Sequence, residues 1–111
     1  MNSIIEEVNE LKELILNSNE YKNYKENLEL VEQNEEINIT INNIIKLQKD
    51  VVKLKHSKKE YKDKEKELDY LYVKLDRYEI YRDYIESSKK LNDLITSIQN
   101  SFQEFFDSLV S

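Results

Sequence analysis

A single histidine, His56, stands among 23 carboxylates in a chain of 111 residues that contains no cysteine. Any acid–base or metal chemistry would have to be drawn from these groups. A transition-metal site needs several His, Cys or carboxylate ligands converging on one ion. His56 has no second histidine to join it, and no Glu-x-x-His pair of the kind used by di-iron helical bundles occurs. General acid–base work by His56 would also require a positioned nucleophile or carboxylate partner that the sequence does not single out. Without glycine there is no phosphate-cradling loop, and without cysteine no thiolate nucleophile or thiolate-ligated cluster. The sequence therefore assigns no catalytic residue, no metal ligand and no cofactor. His56 is expected near a helix C-terminus, capping carbonyls and complementing the dipole when protonated.

Tyrosines form the next pattern. Tyr21-Lys22-Asn23-Tyr24-Lys25-Glu26 and Tyr81-Arg82-Asp83-Tyr84-Ile85-Glu86 share one form, in which two tyrosines occupy one helical face. Each ring could be buried while its hydroxyl reaches a polar rim. Two copies of one docking surface would explain the repetition, and so would ordinary packing at the edge of a core.

These residues have to be held by helices. The chain has no Gly, Pro, Cys, Trp or Ala, so neither of the two strong helix breakers interrupts it. Turns must be made by Ser, Asn and Asp, whose side chains cap free backbone groups. Ile4, Val8, Leu11 and Ile15 form one face of a first helix, and Asn17 with Glu20 has the form of a capping box for a second. That second helix carries Tyr21, Tyr24, Leu28 and Val31. A third is expected from about Glu35 to Lys55. Within it, Ile37-Asn38-Ile39-Thr40-Ile41 alternates like a half-buried strand, but the helical series Ile37, Ile41, Ile44, Leu47, Val51, Leu54 outruns any normal strand and decides for helix. Ser57 with Glu60 and Asp76 with Glu79 are read as the boxes that open the fourth and fifth helices, the fourth beginning with a charged, one-sided arm over Lys58 to Glu67. The fold class is all-α, about five helices in a small bundle, with residues 1–111 as a single domain.

The last helix carries the strongest signal. Tyr84, Ser88, Leu91, Ile95, Ile98, Phe102, Phe105 and Leu109 recur at alternating steps of four and three, an a/d seam over more than three heptads. A helix from Glu79 to Leu109 would extend about 46 Å, against a radius of gyration near ~13 Å for a compact domain of this size. Part of it must project or lie on another subunit. Leu91, Ile95, Ile98, Phe102, Phe105 and Leu109 are therefore assigned to self-association, as a symmetric homodimer or alternatively a tetramer.

The formal charge of -6 argues against a phosphate-binding surface, so direct nucleic-acid binding is not expected. The first ten residues lack a secretory pattern and no stretch approaches the ~20 apolar residues of a membrane span. A cytoplasmic protein without membrane contact is expected. Asn38-Ile39-Thr40 matches a glycosylation acceptor by chance.

The segment Leu47-Gln48-Lys49-Asp50-Val51-Val52-Lys53-Leu54-Lys55-His56 resembles the YmcA (RicA) branch of the YlbF/YmcA family, whose members carry a similar Leu-Gln-Lys, two residues, Val, one residue, Leu-Lys-His run. Asn34-Glu35, the Glu79 to Glu86 stretch with Arg82-Asp83, and Leu91-Asn92-Asp93-Leu94 agree with the family in order and spacing. The resemblance implies a non-catalytic helical subunit that joins YlbF-like and YaaT-like proteins and modulates the endoribonuclease RNase Y, with effects on competence, biofilm and sporulation. It points to Leu47, Lys49, Lys53 and His56 as partner contacts. Relatives that take part in iron–sulfur binding use tail cysteines that this chain lacks. A self-associating helical bundle with no role in RNA processing is the alternative.

Overall fold

The structure, a computed structural model, describes residues 2–111 as five α-helices: α1 (Asn2–Leu16), α2 (Asn19–Gln33), α3 (Glu35–His56), α4 (Lys62–Asp76) and α5 (Glu79–Val110). No strand occurs among the described residues. The chain packs as two compact units, one of residues 28–83 and one of residues 1–27 with 84–111.

The unit of residues 28–83 is built on α3 and α4, which form an antiparallel hairpin. Its core is aliphatic: Val31, Ile37, Ile44, Val51, Leu68 and Leu75 are all buried, each contributing roughly 1.5–3 kcal/mol on burial. Ile37 is fully enclosed, and the next residue on its face, Thr40, is also buried because its hydroxyl donates to the Glu36 carbonyl at 2.9 Å. Ile39 between them is exposed, so the alternating segment is a helix with its apolar residues on two faces. The α3–α4 pair is tied by Gln48 Nε2 donating to Tyr72 Oη at 2.6 Å, and by ion pairs Lys64–Asp50 (3.5 Å) and Lys55–Glu65 (3.4 Å). These pairs lie at the surface, partly exposed, and add little stability individually.

The turns depart from the sequence reading in three places. Ser18, not Asn17, caps α2: its Oγ accepts from the Tyr21 N–H at 3.0 Å, while Asn17 donates to Glu13 on the preceding turn. Ser57 does not open α4; it is the C-cap of α3, and α4 starts only at Lys62, whose N–H donates to Glu60 Oε1. After Ser57 the backbone closes α3 with Lys58 N–H on the Lys55 carbonyl and Lys59 N–H on the Leu54 carbonyl. This is the Schellman pattern, which normally uses glycine at the left-handed position. Here Lys58 adopts it, at φ 57°. Asp76 is the last residue of α4 rather than the cap of α5, and its carbonyl accepts from Arg82 Nη1 at 3.1 Å.

Two asparagines close the α2–α3 junction. Asn34 caps α3, its Oδ1 accepting from the Ile37 N–H at 2.9 Å. Asn38, one turn into α3, turns its amide back on the end of α2 and donates to the carbonyls of Val31, Glu32 and Asn34. The Val31 and Asn34 carbonyls also accept backbone N–H groups, so the amide chiefly satisfies the Glu32 carbonyl at the end of α2. Tyr78 Oη, just ahead of α5, donates to Glu36 Oε2 at 3.0 Å and so secures the start of α3.

In the unit of residues 1–27 and 84–111, Tyr24 and Tyr84, the second tyrosines of the two repeated motifs, pack against each other with ring centroids 5.7 Å apart. Ordinary packing accounts for that half of the repetition. No apolar side chain of this unit is fully buried among the described residues; Ser87, donating to the Tyr84 carbonyl, is the buried residue there.

Candidate functional site

The surfaces most open to chemistry are helix faces. Among the described residues no group of three His, Asp or Glu side chains is placed to hold a metal ion. His56 ends α3 on the surface beside Lys53 and Lys55, where the dipole favours cations. The carbonyls it was expected to cap are taken by backbone N–H groups instead. No described helix is long and apolar enough to cross a membrane.

The first surface is the α5 seam. Ile95, Ile98 and Phe102 face Val8, Leu11 and Ile15 of α1 across an apolar groove of about 550 Å³. The periodicity of α1 had identified its apolar face without assigning that face a role. Phe105 continues the wall beyond Phe102, with ring centroids 6.3 Å apart, and Leu91 is half-buried one turn before Ile95. Leu109 is exposed. The helix thus has an intrachain neighbour over part of the seam, and the groove between them remains open to water.

The second surface is α3, where the structure separates the four residues singled out. Leu47 turns toward α4 and lines a cleft with Asp50, Lys64 and Leu71. Lys49 and Lys53 lie on the opposite, outward face, in a shallow groove with Ile45, Gln48 and Val52. Ile45 and Val52 lie outside the helical series that runs through Ile44 and Val51. The doublets Ile44-Ile45 and Val51-Val52, seven residues apart, were the available signal that α3 is apolar on two faces.

The prominent surfaces of this all-helical protein are apolar grooves and stripes, the kind of surface that marks interaction sites. The chain belongs to the YlbF/YmcA family: the model described as control of competence regulator ComK, YlbF/YmcA, matches residues 4–104. By that description the family is a regulatory one. The fold is similar to that in the X-ray crystal structure of Bacillus subtilis RicA in complex with RicF, with a TM-score of 0.84 over 98% of this chain and 97% of that chain. Sequence identity to it is 18%, so the likeness is one of fold. No curated protein matches the chain.

Proposed function

We propose that this chain, acting as one domain over residues 1–111, is a non-catalytic scaffold subunit of a cytoplasmic complex with YlbF-like and YaaT-like proteins that modulates RNase Y-dependent transcript processing. The observation that carries this reading is the family match across residues 4–104. The fold shared with RicA, a protein crystallised with RicF, supports partnership with a YlbF-like protein. In this reading the α5 residues Leu91, Ile95, Ile98, Phe102, Phe105 and Leu109 drive self-association, and Lys49, Lys53 and His56 on α3 meet partners. Leu47, on the α4-facing side of the same helix, is the fourth proposed contact.

The test is a tagged pull-down from the native cytoplasm with mass spectrometry, run beside Phe102→Glu. Recovery of YlbF-like and YaaT-like proteins is expected from the wild type. Recovery of the protein alone would leave a self-associating bundle and end the RNA-processing reading. Phe102→Glu is expected to lower the molar mass in light scattering, and an unchanged mass would remove the α5 seam as the association surface.

A further inference from the structure

The outward faces of α1 and α3 are opposites in charge. Residues 42–56 hold Lys46, Lys49, Lys53 and Lys55 against Asp50 alone, whereas residues 2–18 hold Glu6, Glu7, Glu10 and Glu13 against Lys12 alone. On α3 the charges that face α4 are already matched, Asp50 with Lys64 and Lys55 with Glu65. Lys49 and Lys53 take part in none of the ion pairs among the described residues; they flank Ile45 and Val52, which are 43% and 66% exposed.

On α1 the face turned away from the α5 groove has the same construction with the sign reversed. Leu14, 60% exposed, lies in a shallow surface groove with Glu10, Glu13 and Asn17. Glu10 and Glu13 also stand outside the ion pairs. Each face thus sets exposed aliphatic surface, Ile45 and Val52 on α3 and Leu14 alone on α1, beside like charges one turn apart, which repel within a copy and attract across a pair of copies.

We infer that α1 of one copy docks on the outward face of α3 in a second copy, Leu14 packing against Ile45 and Val52 while Glu10 and Glu13 meet Lys49 and Lys53. This contact rests on the reading of the α3 face as an interaction surface, deepens it by making a second copy the partner that Lys49 and Lys53 meet, and requires neither RNase Y nor the α5 seam. Lysines could also suggest RNA, but the aliphatic ridge between them lacks the aromatic or arginine platform on which bases stack, and the chain is acidic overall.

The test uses purified full-length protein and two charge reversals, K49E/K53E and E10K/E13K, with self-association followed by sedimentation equilibrium. Each variant alone juxtaposes like charges, so its association is expected to weaken by roughly a hundredfold or more, and equal mixing should restore wild-type mass because each variant then supplies what the other lost. The restored contact should weaken with added salt. The mixture reads out the same way whether copies exchange α1 reciprocally or join head to tail. Wild-type association in either variant alone, or no recovery on mixing while both remain helical by circular dichroism, overturns the contact. Should a reversal cost helicity, K49Q/K53Q removes the charge without repulsion: partial weakening with a flatter salt dependence is expected, and unchanged association overturns the proposal. So does the finding that K49E/K53E leaves mass unaltered but abolishes a gel shift with poly(U) RNA. Failure here leaves the pull-down result untouched, and loss of partners there leaves this contact standing.

Discussion

The rings of Tyr24 and Tyr84, which hold matching places in two motifs sixty residues apart, meet with centroids 5.7 Å apart and planes inclined at 34°. The rings are tilted, lying between an offset stack and an edge-to-face pair. Such pairs add about 0.5–1.5 kcal/mol beyond their area. A double-mutant cycle of Tyr24→Ala and Tyr84→Ala in urea unfolding should return a coupling in that range. Strict additivity of the two would show that the rings are merely adjacent.

Lys58→Gly should stabilise the protein, an unusual outcome for a glycine substitution. A side chain at φ 57° costs about 1–2 kcal/mol, and glycine returns part of that through its greater unfolded-state entropy. A net gain of about 0.5–1 kcal/mol is expected from chemical denaturation. A loss would mean that Lys58 is held by something other than the need to close α3.

Ser18→Ala should cost about 1 kcal/mol by removing the cap on α2, and Asn17→Ala much less. Thermal melts of the two variants decide which residue is the cap; equal losses would restore Asn17 to that role.

At the α2–α3 junction, Asn38→Asp should be worse than Asn38→Ala. Alanine loses donors to three carbonyls, whereas aspartate in addition aims an acceptor at them. The alanine variant is expected to lose about 1–2 kcal/mol. If the aspartate variant proves the more stable of the two, the amide does not serve as a donor there.

Tyr78 should ionise at higher pH than an ordinary tyrosine. Its hydroxyl donates to Glu36, and that bond, with desolvation and the carboxylate's charge, raises its pKa. Because the folded value is the higher one, the stabilisation is complete below the ordinary tyrosine pKa near 10 and is lost as pH rises through the folded value. Ultraviolet titration should show a late tyrosine component, and Tyr78→Phe should reduce it. An undiminished component in Tyr78→Phe would assign it to another ring.

Helix identity was legible because it depends on the sum of many weak terms: no breaker, and apolar steps of three and four sustained from Ile37 to Leu54 and from Tyr84 to Leu109. Those long series overrode the strand-like look of Ile37 to Ile41. Helix ends were less legible, since an end turns on one backbone torsion. Three Ser, Asn or Asp residues with a Glu three positions on were read as boxes, yet Ser18 took over from Asn17, and Ser57 and Asp76 finish helices instead of starting them. The α3 stop was concealed because the usual glycine is replaced by Lys58. Site residues were legible as faces but not as neighbours: periodicity grouped Ile95, Ile98 and Phe102, whereas only packing sets them across from Val8, Leu11 and Ile15. It also could not separate Leu47, which faces α4, from Lys49 and Lys53, which face outward.

All fully buried aliphatic side chains among the described residues lie between Val31 and Leu75, while α1 and the C-terminal half of α5 keep theirs partly wet. Local opening is easiest where apolar contacts are fewest. Under the proposed assembly, a copy made in excess of its partners would show proteases the same segments that assembly would cover, and proteolysis of such transiently open forms follows their population. The proposed assembly would then correct subunit dosage after synthesis, with orphans cleared and assembled copies spared.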